Sequence, residues 1–361
     1  MDFEEHAGKA MLARHGIALA ASELATTPSE AGAAAGRIGP CVVKAQVPTG
    51  KRGKAGGIKL AGDATAAEQA ASDILALTID GWPVRRLLIE AQVPIARELY
   101  AAVLNDHASK SPMLLFSTSG GMDVEELAES DPTAMRRHAI AIGSAPTVED
   151  LDALLDGTDL SAQERAAVGD VLTKLHAVFI ASDAELLEIN PLVVTKDGEL
   201  IALDCKLTVD DSALTRQAEL AAQGAEEQRT PLEARAAEAG LKYIELDGSV
   251  GVLANGAGLT MTTMDVIAHY GGSPANFMEI GGEAYTKATT ALGIVLDHPG
   301  VKSLLVNFCG AFARTDVMAA GSWRRCRNLN RTSRSFSPFT ARARKKPSPW
   351  CRKSSASRRS I

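Results

Sequence analysis

The stretch "AELLEINPLVVTKDGELIALDCKLTVDD" (184–211) decides the fold of this part of the chain. Its two apolar runs are joined by Lys196-Asp197-Gly198, and Asp-Gly is a strong signal for a β-hairpin turn. Side chains alternate faces along a strand, so Glu188 and Asn190 are expected on one face, with Asp204 on the facing strand. Carboxylate and amide oxygens in this arrangement could hold Mg²⁺ beside nucleotide phosphates. A solvated polar face is the alternative, although charges beside buried strands usually have partners.

A second stretch, "VVKAQVPTGKRGKAGG" (42–57), has a strand that carries Lys44 and leads into a glycine-rich basic loop. Glycines let backbone N–H groups approach phosphate oxygens, and Lys and Arg supply the countercharge. A flexible basic hairpin loop explains the same residues equally well. From this segment alone, phosphate binding and a plain loop therefore both stay open.

Near residue 241 a different pattern begins, in which strands and helices alternate as in an open parallel sheet. The stretch "VLANGAGLTMTTMDVI" (252–267) predicts a strand, a glycine turn and the start of a helix. A helix N-terminus can bind an anion, but the third glycine of the dinucleotide fingerprint is missing. An ordinary turn between a strand and a helix fits as well. Because the pattern changes near residue 241, we place a domain boundary near 235–245.

Composition describes a globular α/β chain of 361 residues, 46% of them hydrophobic and 23% charged. The five cysteines are scattered without CxxC pairs, which favours a reducing cytoplasm. We expect a cytoplasmic protein without a membrane partner, because no run approaches the roughly 18 apolar residues of a span. The sequence contains no GxxxxGK[ST], HExxH or GxSxG motif, and the seven histidines form no cluster.

Taken in order, several blocks resemble the β-subunit family of succinyl-CoA synthetases, which are ATP-grasp carboxylate–CoA ligases. The resemblance rests on "VVKAQV", "KRGKAGGIK", "LIEA" with "ARELY", "LLEINPLVVTKDGELIALDCK", "NGAGLTMTTMD", "GGSPANFMEIGG" and "VNFCGAFARTD". It implies an ATP-grasp domain, 1–235, and a flavodoxin-like parallel-sheet CoA-ligase domain, 241–321. It also implies ATP or GTP as the nucleotide, and an α subunit that carries CoA and a phosphorylated histidine.

The resemblance carries site residues over one position at a time. Positions in the nucleotide-binding set are Lys44, Lys51, Arg52, Gly53, Glu90 and Glu98. Asn190 and Asp204 match Mg²⁺ ligands, and Glu188 matches a catalytic glutamate beside the phosphohistidine. Asn255 and Ala311-Phe312-Ala313 match positions that bind succinate or a related dicarboxylate. Phosphoryl transfer depends mainly on positioning and charge neutralisation, which suits these residue types.

Three departures limit what the resemblance implies. Lys51 stands where the family loop has glycine, and Cys205 stands where glycine usually follows the metal-binding aspartate. The sequence "CGAFAR" (309–314) replaces the usual "FGGIVR". Because Phe312 is larger at a turn expected to bind a carboxylate, a malate–CoA ligase is the alternative to a succinate–CoA ligase.

The last 40 residues, 322–361, hold 13 Lys or Arg and no Asp or Glu, whereas residues 1–321 carry a formal charge of −19. A nucleic-acid arm, a disordered tail and translation in the wrong reading frame are three competing explanations. With suitable synonymous codons, a one-base shift recovers a helix, an apolar strand and a second helix. We therefore expect an out-of-frame, disordered basic tail that truncates the second domain, and no nucleic-acid partner. An inactive remnant that no longer assembles stays a further alternative.

Overall fold

A computed structural model of the chain describes residues 1–121, 134–225, 228–281, 286–310 and 315–328, with the backbone alone for 323–328. The described chain forms two compact units, Met1–Glu227 and Gln228–Ile361. No helix among these residues has the length and apolar character needed to cross a bilayer.

The first unit contains a small lobe in which one antiparallel sheet packs against two helices. Threonine and aspartate side chains, Thr27 and Asp63, cap the N-termini of these helices, so both helices begin where the sequence supplies a cap. Alanines of the helices pack with Val43, Leu87 and Ile89 of the sheet. The sheet order is β1-β6-β2-β3. The elements are β1 (Ser22–Ala25), α2 (Pro28–Ile38), β2 (Cys41–Ala45), β3 (Ile58–Ala61), α3 (Ala64–Leu75), the short pair β4 (Thr78–Ile79) and β5 (Trp82–Pro83), and β6 (Leu87–Ala91).

The large lobe of the first unit is a six-stranded antiparallel sheet centred on one long strand of the hairpin 184–211. That strand, β10, pairs with β7, β11 and β12. Phe116, Leu172 and Ile189 belong to the core between this sheet and its helices. The elements are α1 (Glu5–Arg14), β7 (Ile95–Asp106), β8 (Ser111–Ser117), β9 (Arg136–Ala139), α4 (Val148–Leu155), α5 (Ala162–Ala181), β10 (Ala184–Thr195), β11 (Leu200–Ala202), β12 (Lys206–Val209), a 3-10 turn (Asp211–Ala213) and α6 (Ala218–Ala221).

The second unit has a four-stranded sheet of order β13-β15-β14-β16. Its β14 runs parallel to both β15 and β16, and only β13 is antiparallel. Leu253, Met278 and Leu292 belong to its core. The elements are α7 (Pro231–Glu238), β13 (Lys242–Glu245), β14 (Val250–Ala254), α8 (Ala257–His269), β15 (Asn276–Glu279), α9 (Ala288–Asp297), β16 (Ser303–Asn307) and α10 (Thr315–Asn328).

These elements confirm the predicted fold class and most of the local predictions. The hairpin turns at Gly198, whose φ of 85° lies in the left-handed region that glycine tolerates. The helix α9 is described from Ala288, and residues 282–285 before it lie outside the described residues. The predicted domain limits stay a proposal. Ala236 of α7 packs in the second core, and the compact units divide at 227 and 228.

At the far end of the second unit, β16 has β14 as its neighbour among the described residues. Its apolar side chains are poorly covered, and Leu305 is 40% exposed, whereas four of the five residues of β14 are buried. Strands of parallel sheets are normally covered on both faces. The helix α10 crosses the predicted limit at Gly321 and continues to Asn328, and residues 329–361 lie outside the described residues.

One close contact in the large lobe links the departure at Cys205 to the first helix. A Cβ atom placed on Gly8 of α1 would lie 2.6 Å from the Cys205 sulfur, which is buried. Real Cβ atoms do not approach this closely. Gly8 therefore provides the space that Cys205 occupies, and the two residues are coupled although 197 positions separate them.

We expect Gly8→Ala to destabilise the chain by about 1–3 kcal/mol, because overpacking displaces the Cys205 sulfur or the helix. In the Cys205→Gly background the same alanine should cost much less, since the sulfur is gone. A double-mutant cycle of urea unfolding measures this coupling. Additive effects of the two substitutions would contradict the account.

Candidate active site

Six charged side chains meet where α1 and the hairpin 184–211 pack against the small sheet. Three are cations and three are carboxylates. Each side chain comes from a helix, a strand or a short loop. The two on α1, Glu5 and Lys9, are four positions apart, and all the other ion pairs join positions far apart in sequence. The members of this charge cluster are Glu5 and Lys9 on α1, Lys44 on β2, Arg52 in the loop after β2, Glu90 on β6, and Asp204 between β11 and β12.

Two lysines share two glutamates at the centre of the charge cluster. The Nζ atoms of Lys9 and Lys44 lie 2.8 Å and 3.1 Å from Glu5 Oε1. Both ammonium groups also pair with Glu90, Lys9 through Oε1 and Lys44 through Oε2. The carbonyl oxygen of Leu203 accepts a hydrogen bond from each lysine. The two lysine side chains are thus held by the same three residues, Glu5, Glu90 and Leu203.

Arg52 connects this centre to the hairpin. Its Nη1 lies 2.8 Å from Glu5 Oε2 and donates to the Ala45 carbonyl at 2.9 Å. Its Nη2 donates to both carboxylate oxygens of Asp204, at 2.7 Å and 2.8 Å. Arg52 is 5% exposed, so this guanidinium is buried, with partners for both Nη atoms.

The electrostatics of the charge cluster favour the charged forms of Glu5, Lys44 and Arg52. Burial alone would raise the pKa of Glu5, yet the charges of Lys44, Lys9 and Arg52 hold it well below its usual range. Burial alone would lower the pKa values of Lys44 and Arg52, but nearby carboxylates raise both above their ordinary values. For Lys44 the carboxylates are Glu5, Glu90 and Asp204, and for Arg52 they are Asp204 and Glu5. The charges of Glu5, Lys44 and Arg52 are therefore maintained by their opposite neighbours.

The glycine-rich loop after β2 is shaped by tight packing. A Cβ on Gly57 would lie 2.7 Å from Ile79 Cδ1 and 3.1 Å from the Arg52 carbonyl oxygen, so a side chain there would displace the loop. Lys51 has φ of 58°, in the left-handed region, at the position where the family has glycine. Such a conformation costs a non-glycine residue about 1–2 kcal/mol. Gly53 is exposed, and Arg52 between them points inward to the charge cluster.

Across the hairpin, Asn190 and Asp204 lie opposite each other. Glu188 pairs with Lys206, and Leu192 pairs with Ala202, so the intervening register places residue 190 against residue 204. The hydrogen bond from Leu203 N to the Pro191 carbonyl joins the neighbouring pair of residues in the same register. Asp204 thus joins the hairpin face to the charge cluster, because the same carboxylate also binds Arg52.

Glu98 and Asn190 meet at Gly121. The Gly121 N–H donates to Asn190 Oδ1 at 2.8 Å, and the Gly120 N–H donates to the Glu98 carbonyl at 3.0 Å. A Cβ on Gly121 would lie 1.9 Å from Glu98 Oε2, and its φ is 73°. Only glycine fits there, so the chain passes directly over the Glu98 carboxylate.

Glu188 lies on the same face of the large sheet, partly buried beside Tyr100. The Tyr100 hydroxyl donates to Glu188 Oε2 at 3.1 Å. Burial raises the pKa of Glu188 and Asp204 adds to the rise, whereas Tyr100 and the charge of Lys206 oppose it. The interaction with Asp204 shows that this carboxylate is electrostatically coupled to the end of the charge cluster.

The oxygens on the hairpin fit a Mg²⁺ ion in their chemistry. Mg²⁺ prefers one or two protein oxygens and completes its shell with water and phosphate. Asn190 supplies an amide oxygen and Asp204 a carboxylate, each now engaged by a protein donor. Among the described residues, no three His, Cys, Asp or Glu side chains form a potential metal group. A two-oxygen nucleotide-dependent site is the arrangement these residues can provide.

In the second unit, Asn255 follows β14 and joins it to the segment after β16. Its Nδ2 donates to the Cys309 carbonyl at 2.8 Å, and its Oδ1 accepts from the Cys309 N–H at 2.7 Å. The helix α8 begins next, with Gly256 as its N-cap at a φ of 92°. Ala311, Phe312 and Ala313 lie outside the described residues.

The structure thus brings together four sequence-predicted residues, Lys44, Arg52, Glu90 and Asp204. It places Glu98 and Asn190 at Gly121, and Glu188 beside Tyr100. Glu5, Lys9 and Tyr100 were not anticipated. A signal for the first two exists, because residues 5, 8, 9 and 12 form the buried stripe of α1. Charges at i and i+4 within such a stripe need buried partners.

Comparisons with known proteins agree with this architecture. A family model described as an ATP-grasp domain matches residues 2–194, and one described as CoA-ligase matches residues 253–341. The second match extends into the basic segment, so the reading-frame hypothesis stays a prediction.

Relatives in sequence, and a solved structure with a similar fold, agree with these two family matches. The succinate–CoA ligase [ADP-forming] subunit β of Rubrobacter xylanophilus is 47% identical over 89% of this chain and 84% of that protein. The protein of the same name from Natronomonas pharaonis is 42% identical over 89% of this chain and 85% of its own length. A structure of ATP citrate lyase from Methanothrix soehngenii, in complex with citrate and coenzyme A, superposes with a TM-score of 0.65 at 22% identity. That superposition covers 91% of this chain and 85% of that one.

We expect Glu5→Gln to destabilise the first unit by about 3–5 kcal/mol, because it removes one partner from a buried set of charges. Since the pKa of Glu5 is lowered in the folded chain, this difference should persist at neutral pH and shrink only as the pH falls below 4.5. Urea unfolding at several pH values measures it.

Glu23→Gln is the matched control, because Glu23 pairs with Arg37 on the surface. Its substitution should leave the unfolding midpoint nearly unchanged. Equal small effects of the two substitutions would show that the charge cluster does not stabilise the fold.

Proposed function

The chain belongs to the β-subunit family of ADP-forming succinate–CoA ligases, and from this membership we propose that it supplies the nucleotide-binding half of an acid–thiol ligase. The reaction is succinate + CoA + ATP giving succinyl-CoA, ADP and phosphate. The γ-phosphoryl group moves from ATP to a histidine nitrogen of an α subunit, and ADP leaves. The phosphoryl group then moves from the histidine to the carboxylate of succinate, and the CoA thiol displaces phosphate from the acyl phosphate.

The charge cluster is the observation that supports this proposal most strongly. Arg52 and Lys44 are fully charged and are held by carboxylates, one of which is Asp204. An incoming triphosphate offers Arg52 and Lys44 new anionic partners, and Asp204 becomes available to a cation. In such an exchange each buried charge keeps an opposite partner, because phosphate replaces Asp204 beside Arg52 and the cation replaces Arg52 beside Asp204.

Asn190 and Asp204 would hold the Mg²⁺ that accompanies the nucleotide. When bound, the ion neutralises phosphate charge and helps to align the transferred group. Glu98 and Glu90 are proposed nucleotide-binding carboxylates, and the contacts of Glu90 with both lysines support a role in holding Lys44. Lys51 and Gly53 complete the proposed phosphate loop.

Glu188 is proposed to lie beside the phosphohistidine during transfer. Its hydrogen bond from Tyr100 and its partial burial support a fixed carboxylate that can orient an imidazole. This role depends on the α subunit, which would deliver the histidine and carry CoA.

The acid would bind in the second unit, near Asn255 and Ala311-Phe312-Ala313. The clasp between Asn255 and the Cys309 backbone supports a fixed turn next to the N-terminus of α8, whose exposed N–H groups favour an anion. Malate is the second candidate acid, because "CGAFAR" departs from the family pattern at this turn.

We also propose that residues 322–361 are encoded out of frame. The half-exposed apolar strand β16 supports a missing neighbour in the sheet, which the shifted frame would supply as an apolar strand. An exposed strand edge of this kind favours aggregation and weakens assembly.

When co-expressed with an α subunit of this family, the chain should release ADP from Mg·ATP repeatedly, beyond one equivalent per histidine, only when CoA and succinate are both present. Malate should give a lower kcat/KM than succinate. Lys44→Met should reduce kcat/KM for ATP by about a hundredfold, because it removes a charge that stabilises the transferring phosphoryl group. A coupled ADP assay measures these rates, and equal rates without CoA would contradict the proposal.

The control is a version of the gene with one base restored after the Gly321 codon, expressed beside the version as written. Resequencing the gene across that codon establishes the natural frame. If the restored chain alone assembles and turns over, the basic segment is the defect. If neither version shows nucleotide-dependent activity with a folded α subunit, the ligase proposal fails.

A further inference from the structure

The first helix contributes two buried charges that the proposed reaction does not use. Glu5 is 2% exposed and Lys9 is 3% exposed, so both side chains are buried. They are four positions apart on α1 and form an ion pair of 2.8 Å. Both reach across to the small lobe, Glu5 to Lys44 and Arg52, and Lys9 to Glu90.

Lys9 occupies acceptors that Lys44 would otherwise hold alone. The Lys9 ammonium contacts Oε1 of Glu5, Oε1 of Glu90 and the Leu203 carbonyl. Lys44 contacts the same three residues. Without Lys9, Lys44 and Arg52 would be the only cations within the charge cluster facing its carboxylates.

A count of formal charges shows what Lys9 changes. The charge cluster as described is neutral, with three cations and three carboxylates. If Asp204 turns from Arg52 to a metal ion, the remaining five groups carry one net positive charge. If Lys9 is absent, the remaining four groups are neutral, and Glu5 and Glu90 fully compensate Lys44 and Arg52.

We infer that Lys9 is a positioning residue that keeps Lys44 and Arg52 electrostatically available to nucleotide phosphates, with Glu5 as its partner on the helix. The inference rests on the proposed function, because it assumes that these two cations meet a triphosphate. Lys9 acts by holding Glu5 and Glu90 and does not touch the nucleotide. The N-terminal helix is thus part of the binding site.

The test is titration of the full chain with a fluorescent N-methylanthraniloyl ATP in the presence of Mg²⁺. Measurements are made well below the lowest melting midpoint of the variants. Lys9→Met should raise the Kd by about tenfold or more, because one partner of a buried charge set is removed at a binding site. Lys9→Arg keeps the charge and should restore most of the affinity.

A double substitution separates charge balance from folding. Glu5→Gln combined with Lys9→Met removes one charge of each sign and returns one net positive charge to the groups that remain beside the metal-bound Asp204. Its Kd should therefore be at least roughly threefold lower than that of Lys9→Met alone. A purely structural role predicts instead that the Kd of each variant rises with its loss of unfolding free energy, which urea unfolding of the same proteins measures. Glu5→Gln alone then decides, because it adds to the net positive charge and should leave the Kd no higher than that of the unsubstituted chain, whereas a structural role predicts a raised Kd.

The matched control is Lys174→Met, which removes the lysine of another i, i+4 pair, with Asp170 on α5. Lys174 lies partly exposed and outside the charge cluster, so the Kd should change less than about twofold. This comparison corrects for loss of a helical ion pair as such.

The outcomes distinguish the inference from the proposed function. If the unsubstituted chain binds neither the ATP probe nor its GTP counterpart, the proposed function fails. If it binds and folded Lys9→Met keeps its Kd within twofold, the role of Lys9 is overturned. If Lys9→Met does not fold, the double variant decides: a Kd raised tenfold or more above that of the unsubstituted chain, although the net charge is restored, overturns the inference, and a Kd closer to that of the unsubstituted chain supports it.

Discussion

The burial of six charges where α1 and the hairpin meet the small sheet is the constraint on which the rest of the first unit depends. An unpaired buried charge is costly, and removing one partner from a buried pair is more damaging than removing both. Glu5, Glu90 and Asp204 therefore fix the positions of the three cations, and the cations fix the elements that carry them. The same requirement aligns α1, β2, β6 and the hairpin, and it places Lys44 and Arg52 together before any ligand arrives.

Local features of the sequence were sufficient to predict much of the fold. The Asp197-Gly198 turn and the alternation around Glu188 depend on near neighbours in the chain, and the structure contains both of them. The charge cluster depends on contacts between positions far apart, such as Lys9 with Leu203 across 194 residues. No local pattern specifies which distant carboxylate a buried lysine meets, so Lys9 and Glu5 were missed although Lys44, Arg52, Glu90 and Asp204 were predicted through family resemblance.

The departures from the family pattern have physical consequences of different kinds. Lys51 adopts a left-handed backbone conformation that glycine would adopt without strain, so the loop tolerates a local cost. Cys205 is accommodated because α1 has glycine at position 8. In the second unit, Asn255 makes two hydrogen bonds with the Cys309 backbone, while β16 leaves apolar side chains half-exposed. The fold accommodates Lys51 by local backbone strain and Cys205 by the space at Gly8, whereas the exposed strand β16 leaves apolar surface uncovered.

The central claim is that the charge cluster exchanges its internal ion pairs for a metal–nucleotide complex. The most direct measurement is an experimental structure of the full chain with Mg²⁺ and a non-hydrolysable ATP analogue. The account predicts that Arg52 leaves Asp204 for a phosphate oxygen, that Asp204 and Asn190 face the ion, and that Glu5 and Lys9 stay paired. A nucleotide bound elsewhere, with the pair of Arg52 and Asp204 intact, would contradict it.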